Sequence, residues 1–458
     1  MEKEPPPRPI PILRWKQVYR ETELYQAALR VYTKPLFQWR KALSTSTDGK
    51  TLYDFASRGL RRLHALHSDL RRESFTFRPA TALHYNFNGK HRTLYLSPWE
   101  ERIVDLMLYR MLNRRLHGWF SPHSYAYRQA GFGLDCCQKR IASTLRRCPS
   151  PQYLVKRDIA DYFACIPHRP LLAQIASLVD PEDYLFRVLQ QRVQFSYVEE
   201  GELLQASAGV PFGTAVACLF ANIFLTRVDR ELECIPEASL FRYADDILVL
   251  SSDRSAASRA RQVLEASLAD LNLKTKPSHQ ADLVLSSLPI EDPEFEGARR
   301  FRHLGLLFQA DGMVSLSRDK LRKIQNLFRF GFRRSRRRWS RPAEPEDRFR
   351  CLIQITGEII ERGLRNVAIL DYYLRHVNNE AQLRLLDRWL AEEVLHRIFG
   401  GHRKGNFRKM EFRRLRELGL PSLVHRRRLI LRGEIESPFF LWQREKSTRA
   451  SRGTVVRR

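Results

Sequence analysis

Residues 240–250 read Leu-Phe-Arg-Tyr-Ala-Asp-Asp-Ile-Leu-Val-Leu, and this stretch decides which fold the chain adopts. An apolar run on each side of a short turn predicts a β-hairpin with largely buried strands. Asp245 and Asp246 stand at its tip, where two adjacent carboxylates repel each other. Divalent cations would relieve that repulsion, and oxygen ligands of this kind suit Mg²⁺. A solvated turn is the alternative interpretation, because Asp is a common turn residue.

Asp158 is a second acidic position. Residues 153–155, Tyr-Leu-Val, predict a central strand that would carry Asp158 to its end. One carboxylate at a strand end and two on a hairpin are the minimal ligands of a two-metal site. In such a site, cations about 4 Å apart promote in-line phosphoryl transfer. Asp161 is a weaker candidate, because its position favours a helix N-cap equally.

Between these acidic positions lies a short loop, residues 209–213, which reads Gly-Val-Pro-Phe-Gly. It leads into a predicted helix over 214–232. Small side chains would let another chain, such as a template backbone or a base pair, lie close against the start of this helix. The small residues of its first turn are Thr214, Ala215, Ala217 and Cys218.

Composition narrows the class of partner. The 458 residues include 79 Lys and Arg against 51 Asp and Glu, a formal charge of +28. This excess predicts a polyanionic partner, with nucleic acid favoured over a membrane surface. Because no apolar stretch approaches the roughly 20 residues that span a bilayer, and no apolar signal core begins the chain, we expect a cytoplasmic protein without membrane association. The seven cysteines lack zinc-ligand spacing, so we expect reduced thiols, mostly small core residues.

Apolar periodicity predicts the order of helices and strands. The helices are expected at about 15–75 (with Leu60, Leu63, Leu66 and Leu70 three and four residues apart), 98–117, 168–178, 182–190, 214–232, 254–270 and 378–400. The strands are expected within 83–96 (with Asn88-Gly89 as the turn), 152–160, 193–206, 240–251 and 301–308. After residue 318 the sequence is helical in pattern and strongly basic, and 443–458 is typical of a disordered tail.

These motifs, in this order, resemble the palm of reverse transcriptases. The Asp158 block, the loop at 209–213, the Tyr-Ala-Asp-Asp hairpin and residues 301–305 each have a counterpart there. Upstream, residues 90–98 resemble the fingers segment, and 124–128, Ser-Tyr-Ala-Tyr-Arg, resemble the Ser-Tyr-Gly-Phe-Arg block of bacterial members. The sequence is most similar to the prokaryotic branch of group II intron, retron and defence-associated enzymes.

The resemblance implies an α+β right-hand polymerase. Fingers and palm (an antiparallel sheet plus helices) would precede an all-α basic thumb and a C-terminal extension. The implied limits are 1–80 for an N-terminal arm and helices, 81–315 for fingers and palm, 316–400 for the thumb and 401–458 for the extension. The implied activity is RNA-directed DNA synthesis from dNTPs in the bacterial cytoplasm, with an RNA template and a DNA product. Two Mg²⁺ ions, or Mn²⁺ instead, would serve as cofactors, and an oligomer is left open.

The resemblance also assigns roles to individual residues. Asp158, Asp245 and Asp246 would bind the metal ions and catalyse nucleotidyl transfer, and Tyr243 and Ala244 would touch the primer end. Phe163 would exclude a ribose 2′-OH, with core packing as its alternative role. A solvated hairpin face is the alternative for Lys90 and Arg92. The positions implied to contact the incoming nucleotide are Lys90, Arg92, Phe163, Phe212, Gly213 and Lys276.

Three departures from the family pattern stand out. Phe212 replaces the usual Gln, which removes a polar contact to the nucleotide. Ala217-Cys218 replaces a common Ser-Pro pair. The family's late lysine has two candidates here, Lys274 and Lys276, of which we prefer Lys276.

The basic helical third predicts contact with nucleic acid, because arginines after a palm would follow a primer–template duplex. A solvated charged face is the alternative. A second basic cluster over 403–428 adds the hypothesis of a bound structured non-coding RNA in antiphage defence. The rival functions are a maturase-like RNA-binding protein and a polymerase making RNA, untemplated DNA or protein-primed DNA. The residues expected to contact nucleic acid in the first cluster are Arg322, Lys323, Arg333, Arg334, Arg336, Arg337 and Arg338.

Overall fold

The computed structural model describes residues 12–35, 38–87, 90–129, 131–148, 151–362, 369–401 and 403–435. These residues form two compact units. The first unit draws on 1–137, 153–283 and 293–296, and the second on 138–152, 284–292 and 297–458. The mixed helices and sheets confirm the α+β class, while the division at 80, 315 and 400 stays a prediction.

The N-terminal part of the first unit is helical, as predicted. Leu63, Leu66 and Leu70 are buried, whereas Leu60 is 80% exposed. At 3.6 residues per turn, Leu60 lies about 60° or more around the helix from the other three. The helices are α1 (Trp15–Val18), α2 (Glu21–Thr33), α3 (Gln38–Leu43), α4 (Leu52–Ser57) and α5 (Gly59–Arg71).

A β-hairpin follows, confirming the strands expected within 83–96. Its strands pair antiparallel with Leu83 opposite Leu94 and Tyr85 opposite Arg92. The turn expected at Asn88-Gly89 lies outside the described residues. The next elements are β1 (Ala80–Phe87), β2 (Lys90–Leu96), α6 (Trp99–Arg115) and α7 (Leu134–Arg147).

The centre of the first unit is a sheet in which β3 lies between β7 and β8, in the order β6-β7-β3-β8. Helix α11 packs against α6, α9, α12 and β6, because its side chains are apolar on nearly every face. The hairpin β1–β2 is extended into a second sheet, β2-β1-β4-β5. The bounds are β3 (Gln152–Asp158), α8 (Tyr162–Cys165), α9 (His168–Ala176), α10 (Tyr184–Val193), β4 (Ser196–Glu199), β5 (Glu202–Gln205), α11 (Ala215–Glu233), β6 (Ala238–Tyr243), β7 (Asp246–Ser251), α12 (Arg254–Asp270) and β8 (Ala281–Leu285).

Most of the second unit is helical. Its longest helix begins after Asn379, whose side chain accepts a hydrogen bond from the Gln382 N–H at 3.0 Å, and ends at Gly400, as predicted. The bounds are β9 (Glu296–Ala298), β10 (Arg300–His303), β11 (Leu306–Gln309), β12 (Val314–Leu316), α13 (Arg318–Arg334), α14 (Arg336–Trp339), α15 (Pro345–Arg362), α16 (Ile369–His376), α17 (Glu380–Phe399), α18 (Phe412–Glu417) and α19 (Leu423–Arg432).

Residues 301–308 form a hairpin and not the single strand element that we expected. Leu304 and Gly305 have φ angles of 47° and 82°, so both turn residues are left-handed and β10 folds back on β11. A turn of this kind favours Asn-Gly or Asp-Gly, and Leu-Gly gives a weaker signal. The tail at 443–458 lies outside the described residues.

The cysteines are less buried than their number and spacing led us to expect. All seven cysteines are free thiols, but only Cys137 is buried, and Cys165 and Cys234 are exposed. The expectation that most cysteines are core residues is therefore wrong.

Within the described ranges, no helix is both long and apolar enough to cross a bilayer.

Candidate active site

The three predicted carboxylates meet at one end of the central sheet. Asp158 is the last residue of β3 and pairs directly with Asp246, the first residue of β7. Asp245 precedes it in the β6–β7 turn, and its carbonyl accepts a hydrogen bond from the Ile159 N–H at 3.3 Å. Ala244 supplies the tight reversal with a φ of 59°. The pairing of two neighbouring strands thus joins Asp158 and Asp246, which are 88 residues apart along the chain.

The segment after α12 lies on the other side of Asp158. The Lys276 N–H donates to the Asp158 carbonyl at 2.8 Å, which fixes the backbone there. The Lys276 Nζ lies 3.3 Å from Asp158 Oδ2, and the His279 Nδ1 lies 3.6 Å from the same oxygen. Lys274 contributes its carbonyl, which accepts from the Ala160 N–H at 2.7 Å. This geometry favours Lys276 over Lys274 as the lysine of the site; the sequence analysis did not identify His279.

Electrostatics distinguish Asp245 within this cluster. Burial and, next, the Asp158 carboxylate raise the pKa of Asp245 to about 6, although Lys276 opposes the shift. A carboxyl group held in this way is costly to ionise, and a nearby cation would offset that cost. The electrostatics therefore favour a cation beside Asp245.

The donor chemistry fits a divalent metal, since all three side chains offer the hard oxygen ligands that Mg²⁺ prefers. The side chains are not gathered around a common centre, however. Among the described residues, no group of three His, Cys, Asp or Glu side chains is arranged to hold a metal ion. Basic side chains contact the carboxylates instead: Lys276 and His279 lie beside Asp158, and the Lys156 Nζ lies 3.8 Å from Asp246 Oδ1. Metal binding would require these side chains to move.

A buried arginine that the sequence analysis missed supports the acidic turn. Arg242 is fully buried, and its guanidinium donates to both carboxylate oxygens of Asp229 on α11 at 2.6 Å. Its third nitrogen donates to the Asn222 side chain and to the Ala244 carbonyl, each at 3.1 Å. Arg242 therefore joins α11 to the turn. A charged residue inside the apolar run 240–243 was the available signal, but nothing in the sequence identified Asp229 as its partner.

Apart from Lys276, the residues implied to contact the incoming nucleotide lie in or beside the loop at 209–213. The rings of Phe163 and Phe212 have centroids 5.1 Å apart, and the Arg92 guanidinium lies 5.8 Å from the Phe212 ring centre. Gly213 is exposed, with a φ of 108°. Lys90 begins β2, but its side chain lies outside the described part of the chain. The structure thus brings Arg92, Phe163, Phe212 and Gly213 together.

Asp161 does not have the capping role that we weighed for it. It occupies the residue before α8, but it is left-handed, with a φ of 43°, and its side chain caps no N–H of that helix. An N-cap residue needs extended backbone for its side chain to reach the second or third helical N–H. The N-cap interpretation of Asp161 is therefore wrong.

Gly209 fixes the loop against Phe163. A Cβ at this position would lie 2.8 Å from the Ala164 carbonyl oxygen and 3.0 Å from that of Phe163, and the φ is +83°. We expect Gly209→Ala to lower the unfolding free energy by more than about 2 kcal/mol, because backbone strain adds to a backbone clash. Urea titration measures the change.

Gly201→Ala is the matched control for that substitution, because Gly201 also has a positive φ (+91°) but no atom within 4 Å of the added Cβ. It should cost only the strain, about 1 kcal/mol. Equal losses in the two variants would show that the close approach to Phe163 is unimportant.

The basic residues of the second unit form a partly free surface on α13 and α14. Phe328 and Phe332 are fully buried and anchor α13, whereas Phe330 is 50% exposed. Arg338 already binds both oxygens of Glu358, at 2.8 and 2.9 Å. The other basic residues predicted to contact nucleic acid are exposed, and within the described ranges they form no ion pair. They are Arg322, Lys323, Arg333, Arg334, Arg336 and Arg337.

The second basic cluster is less available than its sequence suggests. Arg426 binds Asp371 with two hydrogen bonds of 2.7 and 3.0 Å, and Arg416 lies 3.0 Å from Asp387. Arg428 pairs with Glu380 at 3.1 Å. These arginines hold α16, α17, α18 and α19 together, which weakens the argument for a separate RNA-binding surface at 403–428.

Comparison with known proteins adds an independent result. The family model described as reverse transcriptase (RNA-dependent DNA polymerase) matches residues 79–306. The uncharacterized 91 kDa protein in cob intron of Schizosaccharomyces pombe is 22% identical over 221 residues, 48% of this chain and 26% of that protein. Protein YkfC of Escherichia coli is 23% identical over 236 residues, 43% of this chain and 61% of that protein. The chain spans less than two thirds of the length of either relative.

Solved structures similar to this chain include apo telomerase from Candida tropicalis, with a TM-score of 0.43 and 10% identity over 75% of this chain and 69% of that chain. A Cas6-RT-Cas1–Cas2 complex has a TM-score of 0.33 and 19% identity over 56% of this chain and 41% of that chain. The family match covers the fingers-like hairpin, Asp158, the acidic turn and the start of the 301–308 hairpin. Residues 79–306 therefore form a reverse transcriptase domain, which confirms the resemblance carried by the sequence.

Proposed function

We propose that this chain is an RNA-directed DNA polymerase whose centre is formed by Asp158, Asp245 and Asp246. The observation that carries the proposal is the direct pairing of Asp158 with Asp246, beside Asp245, at the open end of the central sheet. Template-directed nucleotide addition needs a site that stabilises negative charge on a phosphoryl group, and paired carboxylates that hold divalent cations provide one.

The three aspartates would hold two divalent cations, Mg²⁺ or alternatively Mn²⁺. When bound, these ions stabilise charge on the phosphate oxygens and orient the attacking hydroxyl. Lys276 and His279 lie 3.3 and 3.6 Å from Asp158 Oδ2, so both side chains would have to move away for that carboxylate to bind a metal ion. Lys276 would then be available to bind the triphosphate.

Other residues would bind the substrates. Arg92 would bind triphosphate oxygens, because a guanidinium binds phosphate through two donors at once. Phe163 would lie beneath the sugar of the incoming nucleotide. Tyr243 and Ala244 belong to the acidic turn and would contact the primer end. These roles make dNTPs the substrates and DNA the product.

Primer extension tests this proposal. The purified chain is given an RNA template, a DNA primer, Mg²⁺ and dNTPs, and the product is sequenced. We expect DNA complementary to the template. Binding of the RNA without any extension would support the rival maturase-like function, and a product unrelated to the template would support untemplated synthesis.

The free arginines of α13 and α14 would bind the phosphate backbone of the primer–template duplex. We expect Arg333→Gln with Arg334→Gln to weaken duplex binding and to reduce the slope of log affinity against log salt by about 1 for each lost phosphate contact. Fluorescence anisotropy over a range of KCl concentrations measures both quantities.

Arg384→Gln is the control for this prediction, because Arg384 is an exposed arginine of the same unit that pairs with Glu380 on its own helix at 3.4 Å. It should leave the salt slope unchanged. Equal slopes for all three proteins would mean that α13 and α14 present only a solvated charged face.

The biological role that we favour is antiphage defence in the bacterial cytoplasm, with a partner non-coding RNA as template. The formal charge of +28 and the free basic surface support an RNA partner. Sequencing of the nucleic acid that copurifies with the chain should recover one dominant RNA. A random sample of cellular RNA would contradict a dedicated partner without affecting the polymerase proposal.

A further inference from the structure

Three aromatic rings form a row beside the candidate active site. Phe163 contacts both of the others: the Phe212 ring centre lies 5.1 Å away, and the Tyr127 ring centre lies 6.2 Å away with its plane nearly perpendicular at 81°. Each of the three residues is partly exposed. Aromatic pairs at these distances contribute about 0.5–1.5 kcal/mol each.

Phe212 is held in the row by backbone contacts. Its carbonyl accepts a hydrogen bond from the Tyr95 N–H of β2 at 2.9 Å, which ties the loop to the fingers-like hairpin. The Val210 N–H donates to the Phe163 carbonyl at 2.8 Å. The position of the Phe212 ring relative to Phe163 is therefore set by the fold and does not depend on a bound substrate.

Tyr127 is held by a different set of contacts. Its φ is 57°, which is rare for a bulky residue and is retained only where the surroundings enforce it. Its carbonyl accepts hydrogen bonds from the Tyr109 hydroxyl at 3.0 Å and from the Asn113 side chain at 2.7 Å. Both donors belong to α6, so this helix imposes the conformation that directs the Tyr127 ring at Phe163.

We propose that Phe212 and Tyr127 are positioning residues that hold the Phe163 ring in one rotamer and thereby set the selectivity for deoxyribonucleotides. The inference rests on the proposed polymerase function and on Phe163 lying beneath the sugar. A ring excludes a 2′-OH only if it does not swing aside, and two packed aromatic neighbours restrict its alternative rotamers. Glutamine at position 212 would make a polar contact with the nucleotide. Phe212 instead contacts Phe163, the steric gate that would exclude the 2′-OH.

The test compares incorporation of dNTPs and rNTPs on the same primer–template. Phe212→Leu removes the ring but keeps an apolar side chain, and we expect kcat/KM for ribonucleotides to rise about tenfold relative to that for deoxynucleotides. Phe212→Tyr keeps the ring and should retain the wild-type ratio. Phe212→Gln serves as a second ring-free variant if Phe212→Leu folds poorly, and Tyr127→Leu should relax the ratio in the same direction.

Tyr197→Leu is the matched control, because this ring contacts Tyr95 and Phe195 at 5.1 and 5.9 Å and lies outside the row. It should leave the ratio unchanged. If Phe163→Ala lowers the preference for deoxynucleotides but the Phe212 variants do not, Phe163 excludes ribonucleotides without help from Phe212, and the positioning role is overturned. If none of these variants lowers that preference, Phe163 does not exclude ribonucleotides and the positioning role is wrong as well. The proposed polymerase function would be unaffected by that result. Absence of any extension by the wild type would overturn the proposed function, and the inference with it.

Discussion

Replacement of both turn aspartates, Asp245→Asn with Asp246→Asn, is expected to reduce deoxynucleotide incorporation by at least about a thousandfold. Amides keep the size of the side chains but remove the negative charge that binds a divalent cation. Metal ions supply several kcal/mol of transition-state stabilisation, and each 1.36 kcal/mol is a factor of ten in rate. The measurement is the rate of primer extension at saturating dNTP, with the unfolding midpoint as a check on the fold.

The double variant should fold at least as well as the wild type. Asp245 is buried beside another carboxylate, and its pKa is raised to about 6, so its charge is unfavourable in the folded protein at neutral pH. Asp161→Asn is a suitable control, because Asp161 is an exposed carboxylate three residues after Asp158. Loss of activity in both variants would point to a general effect of charge and not to the turn.

Asp229→Leu is expected to lower the unfolding free energy by about 3–5 kcal/mol, because it leaves the fully buried Arg242 guanidinium without its counter-charge. Such a loss is a large share of the stability of a typical domain, so the variant would unfold in much lower concentrations of urea. Arg227→Ala on the same helix removes an exposed pair with Glu231 and should cost less than about 1 kcal/mol.

A second variant separates stability from positioning. Asp229→Leu combined with Arg242→Met removes both buried charges, and we expect it to recover much of the lost stability. It also removes the hydrogen bond from Arg242 to the Ala244 carbonyl, so incorporation should stay low. Full recovery of activity would show that Arg242 does not support the acidic turn.

The parts of the structure that follow from local pattern were predictable from the sequence. The acidic hairpin, the strand before Asp158 and the helix between Asn379 and Gly400 each have signals within a few residues of where they form. Leu60 shows the limit of this approach. It fits the spacing of three or four residues, but it lies at a different angle around the helix from the three buried leucines and is exposed. The 301–308 hairpin shows a second limit, because the Leu-Gly pair at its turn is a weaker signal than Asn-Gly or Asp-Gly.

Contacts between distant segments could not be predicted. The choice of Lys276 over Lys274 depends on which one of two nearby lysines reaches across to Asp158, and the sequence gives only their order. The partner of Arg242 is decided by how α11 packs beneath β6, which no periodicity reveals. The same reason explains why His279 and the role of Tyr127 were missed, since both depend on residues far away in the chain.

The central claim is that aspartates from two strands act as one centre for copying RNA into DNA. The most direct test is extension of a DNA primer on an RNA template by the wild type and by Asp158→Asn, measured side by side at equal concentration. The account predicts complementary DNA from the wild type and almost none from the variant, with the same unfolding midpoint for both. Extension by Asp158→Asn at the wild-type rate would contradict the claim.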